Sequence, residues 1–406
     1  MSSLDFMSKL LDGAAVEWKL LGEVGEFIRG NGMQKKDFVE AGFPAIHYGQ
    51  IYTRYGLAAN AALTYVEEGL AKRLRKAKKN DLLLATTSEN DEDVVKPLAW
   101  LGNDVAISGD MMLFRHNQNV KYLAHYFQTN EFQEQKRKYI TGAKVRRVSI
   151  GDLSKVTVPI PCPDNPKKSL EIQAEIVRIL DAFTELTTEL TTELTTELTT
   201  RKKQYNHYRD QLLSFEDGAV EWKTLGEVIA MRAGQHISAS KISNIASEEY
   251  VYPCFGGNGV RGYVKNKSHD GEYLLIGRQG ALCGNVQRMK GKFYATEHAV
   301  VVTVSDVVNL DWAFHMLTLM NLNQYASQSA QPGLAVGKLE GLKIPIPSLA
   351  EQIRIASILD KFDALTNSLT EGLPREIELR QKQYAHYRDL LLSFPKSETH
   401  GDAHAQ

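Results

Sequence analysis

Apolar residues recur every three or four positions at Ile176, Ile179, Leu180, Phe183, Leu186, Leu190, Leu194 and Leu198, which marks one face of a helix. The pattern returns at Ile355, Ile358, Leu359, Phe362, Leu365, Leu369 and Leu373. Gly372 and Pro374 interrupt this second copy. Proline lacks an amide donor and crowds the preceding turn, so a kink or restart is predicted near 372–375. Inside the first stretch the tetrapeptide TELT runs four times over 184–199. A leucine at every fourth position slips about 40° per step against a 3.6-residue turn, so the stripe winds around the helix. Threonine is a mediocre helix former, and the tract is expected to gain helicity by packing its leucines on a neighbour. The helical spacing and the lack of Gly or Pro set aside a flexible linker.

Elsewhere the patterns are shorter. DLLLATTS at 81–88 predicts a strand, as do VYPCF, GEYLLIG, KFYAT and HAVVVTV, which are separated by glycines or charged turns. Residues 121–138 and 311–325 predict helices, the second opening on an Asp311 cap.

The chain also repeats itself. VEWKLLGEV at 16–24 returns as VEWKTLGEV at 220–228, and VPIP at 158–161 as IPIP at 344–347. ILDAF at 179–183 returns as ILDKF at 358–362, and RKKQYNHYRDQLLSF at 201–215 as RQKQYAHYRDLLLSF at 380–394. Four ordered pairs of this kind mean a tandem duplication. Residues 25–150 and 229–335, which these flanks frame, share no obvious sequence. Two alike frames hold two unlike inserts, the arrangement expected of two readers for different targets. The expected fold class is α+β: two mixed α/β domains joined by two long antiparallel helices, a coiled-coil-like spacer.

Composition narrows the class. The 406 residues are 43% hydrophobic and 24% charged, a globular balance with room for two or three domains. No run approaches the ~18 apolar residues of a membrane span, and the N-terminus lacks a signal-peptide layout. Cys162, Cys254 and Cys283 lie far apart without metal spacing, so a cytoplasmic chain without disulfides is expected. The net charge of -1 does not advertise nucleic-acid binding. A phosphate backbone, however, feels only charges within about a Debye length, so local clusters matter more.

Such clusters exist. KRLRKAKK at 72–79 holds six cations and no acid, and KRKYITGAKVRR follows at 136–147. In the second insert Arg261, Lys265, Lys267, Arg278, Arg288, Lys290 and Lys292 interleave with Phe255, Tyr263 and Tyr273. This mix suits phosphate positioning with base-edge readout. The candidate DNA-binding residues are Lys72, Arg73, Arg75, Lys76, Lys78, Lys79, Lys144, Arg146, Asn258, Arg261, Arg278 and Gln279. Leu186, Leu190, Leu194 and Leu198 are the candidate spacer residues.

Catalytic motifs do not emerge from the chain. GNGVRG at 257–262 fits G-x-G-x-x-G, yet YVKNKSHDG follows it, not the helix that a dinucleotide site requires, so a hairpin turn is expected. PDNPK at 163–167 reads as a loop, His298 beside Glu297 as a strand residue, and His400 with His404 as part of a tail. No nucleotide-binding P-loop, zinc-protease or nucleophile-elbow motif occurs, and no catalytic residue, metal or cofactor is expected. A coiled-coil adaptor without DNA contact and a cryptic nuclease or methyltransferase are the alternatives.

The unlike inserts, ILDxF, QYxxYRDxLLSF, the PIP turns and the TELT tract together resemble type I restriction–modification specificity subunits, most closely the type IC branch. The likeness covers the frame, about 13–24, 152–228 and 338–394. It implies target-recognition domains at 1–161 and 217–347, helical conserved regions at 162–216 and 348–394, and a disordered tail at 395–406. Each domain would read half of a bipartite double-stranded DNA site. The implied partners are two methyltransferase subunits, which methylate adenine, and two ATP-dependent translocase–endonuclease subunits, which cut unmodified DNA. ATP, magnesium and S-adenosylmethionine would bind to those partners.

Overall fold

The structure, a computed structural model, describes residues 11, 13–216, 218–257, 259–280, 282–328, 332–368 and 370–394. Asn258, Leu369, His400, His404 and the expected tail at 395–406 lie outside these. Among the described residues the chain divides into two compact units. One takes the chain up to Thr192 together with the part from Glu378 onward, and the other takes Glu193 to Ile377.

Each unit is closed at its neck by the repeated flanks. In the first, Val16–Leu20 pairs antiparallel with Thr157–Pro161, Trp18 opposite Pro159. In the second, Glu221–Thr224 pairs with Lys343–Ile346, Trp222 opposite Pro345. A one-turn helix follows the first strand in each case, its glutamate (Glu23 or Glu227) accepting a hydrogen bond from the backbone amide of Leu20 or Thr224.

Above these alike necks the inserts differ. The first carries two five-stranded sheets. One has the order Gly25–Arg29, Met111–His116, Leu82–Ala85, Lys96–Trp100, Ala58–Ala59, and the other Phe38–Val39, Thr64–Val66, Phe43–Ile46, Val105–Ile107, Lys76–Ala77. Leu82, Leu83, Leu84 and Ala85 are all fully buried, so the uninterrupted apolar run is a central strand covered on both faces. The second insert is built on one six-stranded sheet, ordered Ile229–Ala233, Ala299–Val304, His269–Gly277, Val286–Ala295, Tyr252–Gly256, Gly259–Val264. Tyr252–Gly256 and Gly259–Val264 form the expected hairpin, and no helix follows GNGVRG.

The principal helices are α1 (Val120–Tyr126), α2 (Asn130–Arg137), α3 (Pro166–Leu212), α4 (Leu310–Leu319), α5 (Leu349–Asn367) and α6 (Gly372–Leu391). The helix expected over 121–138 is thus two, because Thr129 breaks the run and caps α2 by accepting from the Phe132 amide. The cap of α4 is Asn309, which accepts from the Trp312 amide, and Asp311 lies in the first turn instead. PDNPK is a loop only up to Asn165, since Pro166 starts α3, where a missing amide costs nothing. His298 sits in the turn between the strands ending at Ala295 and starting at Ala299, not in a strand.

The TELT tract lies inside α3, an unbroken helix of 47 residues, about 70 Å at 1.5 Å per residue. Its counterpart is broken as expected: α5 ends at Asn367 and α6 restarts at Gly372, with φ +80°. A Cβ there would lie 2.5 Å from the Ala364 carbonyl oxygen, so the restart needs glycine. Within each unit the frame helices run antiparallel. Phe183 stacks on Tyr387 in one, at 5.5 Å between ring centroids, and Tyr208 on Phe362 in the other, at 5.6 Å.

Candidate nucleic-acid interface

The turn-rich segment 71–81 presents most of the first insert's candidates. Ala71, Leu74 and Ala77 point into the core, leaving Lys72, Arg73, Arg75, Lys78 and Lys79 exposed. Two side chains fix the backbone. The Asn31 amide donates to the Arg73 carbonyl at 2.8 Å, and its oxygen accepts from the Arg75 amide at 2.6 Å. Buried Asp81 accepts from the Lys78 amide at 2.8 Å and from Arg115 at 3.0 and 2.6 Å. Lys76 lies over the Phe43 ring, 4.4 Å from its centroid. Among the described residues none of the five exposed cations has a carboxylate within ion-pair distance. Their charge is therefore free to attract phosphates.

The run at 136–147 is less uniform. Lys144 is exposed, whereas Arg146 pairs with Asp91 at 2.8 Å and donates to the Gly142 carbonyl. Lys136 is buried and donates to the carbonyls of Glu92 and Val94 at 3.0 and 2.8 Å. Desolvation pulls its pKa down to about 8, and it serves the fold. Phe132, one turn earlier on the same face, was the signal.

In the second insert the structure gathers Arg261 and Gln279, both exposed, around a shallow depression of about 460 Å³ that Gly257 and His298 also line. A Cβ on Gly257 would lie 2.6 Å from the Gln279 carbonyl oxygen, so glycine allows this approach. Arg278 stands beside it, half-buried, its guanidinium 3.4 Å from the Glu297 carbonyl oxygen. Burial disfavours an ionised Glu297, but His236 at 2.9 Å and nearby His298 outweigh it and hold the carboxyl below its ordinary range. Lys292 is exposed, and the four other cations interleaved with aromatics in this insert are committed. Lys265 pairs with Glu249, Lys267 with Asp270, Lys290 with Glu272 and Arg288 with Asp360. A second depression of about 590 Å³, with Ser238, Ser240, Lys241 and Asn266 on its wall, escaped the sequence reading because its residues are scattered.

The spacer leucines depart from expectation. None is buried: Leu186 is 51% exposed, and Leu190, Leu194 and Leu198 are half-buried. The winding stripe leaves any single neighbour within a few turns. The helix is instead anchored at its ends, by buried Ile172, Ile176, Val177 and Leu180 in one unit and by Tyr205 in the other. Between them, threonine hydroxyls donate to carbonyls four residues earlier, as Thr188 does to Thr184 and Thr192 to Thr188. Among the described residues no group of three or more His, Cys, Asp or Glu is gathered for a metal, and no helix is long and apolar enough to cross a membrane.

The profile of the type I restriction modification DNA specificity domain matches residues 15–200 and 219–379. The chain belongs to this family. It is a DNA-recognition subunit of a type I restriction–modification system and not itself an enzyme. It is 52% identical over 380 residues to the EcoprrI specificity subunit of Escherichia coli, covering 91% of this chain and 93% of the relative. To the EcoR124I/EcoR124II specificity subunit of Escherichia coli it is 36% identical over 427 residues, covering 98% and 99%. A chain solved in a study of complex assembly and conformational transition of the type I R-M system shares the fold, with a TM-score of 0.62 at 16% identity, covering 93% of this chain and 97% of that one.

Proposed function

We propose that the two inserts read the two halves of a bipartite double-stranded DNA site, as target-recognition domains at 1–161 and 217–347. The carrying observation is one frame in two copies, each neck closed by the same ladder, under two unlike sheet systems. The five exposed cations at 72–79 position the first domain on phosphates, helped by Lys144. Arg261, Gln279, Arg278 and Asn258 serve readout in the second. The chain works in the cytoplasm with two methyltransferase subunits, which modify adenine, and two translocase–endonuclease subunits, which cut unmodified DNA. The frame supports paired docking, because Leu170 and Leu349, and likewise Tyr208 and Tyr387, are exposed at equivalent places in its two copies.

Mapping adenine methylation in cells that express the chain with its methyltransferase partner tests this reading. Exchanging residues 25–150 for the insert of a relative should change one half of the methylated sequence only. A change in both halves, or in neither, overturns it. The TELT tract acts as the ruler in this reading. Each unit adds about 6 Å of helix against about 3.4 Å per base pair, part of the length being taken up by tilt or DNA bending. Deleting 188–191 should shorten the unspecified spacer by one or two base pairs and leave both half-sites intact. An unchanged spacer in a folded, active deletion variant would place the ruler elsewhere.

A further inference from the structure

ILDxF and QYxxYRD, the most strongly repeated motifs, touch none of the candidate DNA-binding residues, yet their side chains meet in each unit around a buried histidine. In the first unit His125, on α1, is fully buried. Its Nε2 lies 3.5 Å from Asp181 Oδ1, and its Nδ1 3.5 Å from the Tyr384 hydroxyl. In the second, His315, on α4, is equally buried, with Nε2 2.7 Å from Asp360 Oδ1 and Nδ1 3.3 Å from the Tyr205 hydroxyl. Asp181 and Asp360 are the aspartates of ILDAF and ILDKF, and Tyr384 and Tyr205 the first tyrosines of the two QYxxYRD segments. A cation completes each group: Lys121 on Asp181, Arg288 on Asp360.

A glutamine backs each joint. Buried Gln173 accepts from the amide of Asn119, which caps α1, at 2.9 Å, and buried Gln352 accepts from the amide of Asn309, which caps α4, at 2.8 Å. The two inserts share no obvious sequence, but each places a histidine six residues after a capping asparagine. A neutral imidazole donating from Nε2 and accepting at Nδ1 bridges a carboxylate and a phenol in one orientation only, and burial favours that neutral form. Three chain segments meet at each histidine: an insert helix, the frame helix after it, and the half-helix with QYxxYRD.

We propose that these two clusters are registration joints that set the angle of each recognition domain on its helices. His125, Asp181 and Tyr384, and His315, Asp360 and Tyr205, are positioning residues for DNA recognition that touch no base. The inference rests on the bipartite reading above. A loosened joint leaves the bases read by each domain unchanged but lets the half-sites be met at the wrong separation, so it relaxes spacer discrimination.

The test uses the chain assembled with its methyltransferase subunits. Methylation is measured on duplexes carrying the mapped half-sites at the native spacing and at one base pair shorter and longer. Tyr384→Phe and Tyr205→Phe remove one hydroxyl each and should lower the preference for native spacing at least threefold, with half-site preferences unaltered. His125→Gln, whose amide still donates to Asp181 and accepts from Tyr384, should keep the preference, and His125→Leu should lose it. Unchanged spacing preference in folded Tyr→Phe variants overturns the proposal, because a merely stabilising cluster would change yield or melting alone. If those variants do not assemble, the His125 pair decides, and equal behaviour of Gln and Leu overturns it. A wild-type assembly that methylates without regard to spacing refutes the bipartite reading itself, a result separate from failure of the joints.

Discussion

The two inserts stand on separate necks built alike and use their charge in opposite ways. In the first, Lys72, Arg73, Arg75, Lys78 and Lys79 stand exposed on a turn held by Asn31 and Asp81, with no carboxylate at ion-pair distance among the described residues. In the second, Lys265, Lys267 and Lys290 already face acids, Arg288 is bound into the frame, and Arg261 with Gln279 face a glycine-lined depression. Exposed ion pairs are worth at most about 1 kcal/mol and can rearrange, so the paired lysines are not barred from DNA. They must give up a partner first, however, whereas the first domain's cations need not. The first domain should therefore contribute more of the salt-sensitive binding, and the second more of its share through directed hydrogen bonds.

Removing the first domain's charge should have the largest effect. For every phosphate left without its cation, the slope of log affinity against log salt falls by about 0.9. Replacing Lys72, Arg73, Arg75, Lys78 and Lys79 with glutamine should flatten the slope by up to about 4.5 units and weaken binding at least a hundredfold in the assembled methyltransferase. Arg261→Gln should flatten it by no more than about one. Equal slope changes from the two domains would abolish the contrast.

A smaller effect, but a more selective one, is expected at Arg261 and Gln279. A bidentate base contact is worth about 1–3 kcal/mol of discrimination. Arg261→Ala and Gln279→Ala should relax base preference within one half-site only, as read by sequencing methylated random-half-site libraries. Loss of affinity spread evenly over all sequences would assign both residues to the phosphates and bring the second domain closer to the first.

How much of this could be read in the chain depends on the distance over which the cause acts. The TELT helix was legible because spacing and the absence of breakers are local properties of 184–199. So was the break before α6, since Gly372 and Pro374 act on their own turns. The neck ladders were not, although both strands stand out as repeats: Trp18 meets Pro159 across the whole first insert. Lys136 stands in a run of cations, and although Phe132 one turn earlier marks its face as inward, only a segment distant in sequence supplies the Glu92 and Val94 carbonyls that let it be buried. The pairing of Lys290 with Glu272 likewise depends on strand register, which sets the two opposite each other. The buried histidines had no sequence signal by themselves, and only alignment of the two capping asparagines in space makes their spacing visible.

The smallest expected effect compares the domains through acid, and its sign follows from burial. Desolvation pushes both joint imidazoles below their ordinary pKa of 6.5. Around His125 the Asp181 carboxylate opposes that shift, while Lys121 and Arg388 reinforce it; around His315, Asp360 and Asp363 oppose it and Arg288 reinforces it. A histidine held neutral in the folded chain binds fewer protons than it does unfolded, so stability is lost as pH falls through 6.5 towards the lower folded value. Each joint can contribute at most about 1.4 kcal/mol per pH unit over that window. His47 and His116, the latter pushed down to about 4, add to the same loss in the first domain, and His269 does so in the second. His125→Gln and His315→Gln should each flatten the fall in melting temperature between pH 6.5 and 5, and wild-type domains should differ, the first losing more. Melting the wild type and both variants across that range checks it. If the variants follow the wild-type curve, the joint histidines titrate in the folded chain as they do in the unfolded one, and neither is held as a neutral bridging ring.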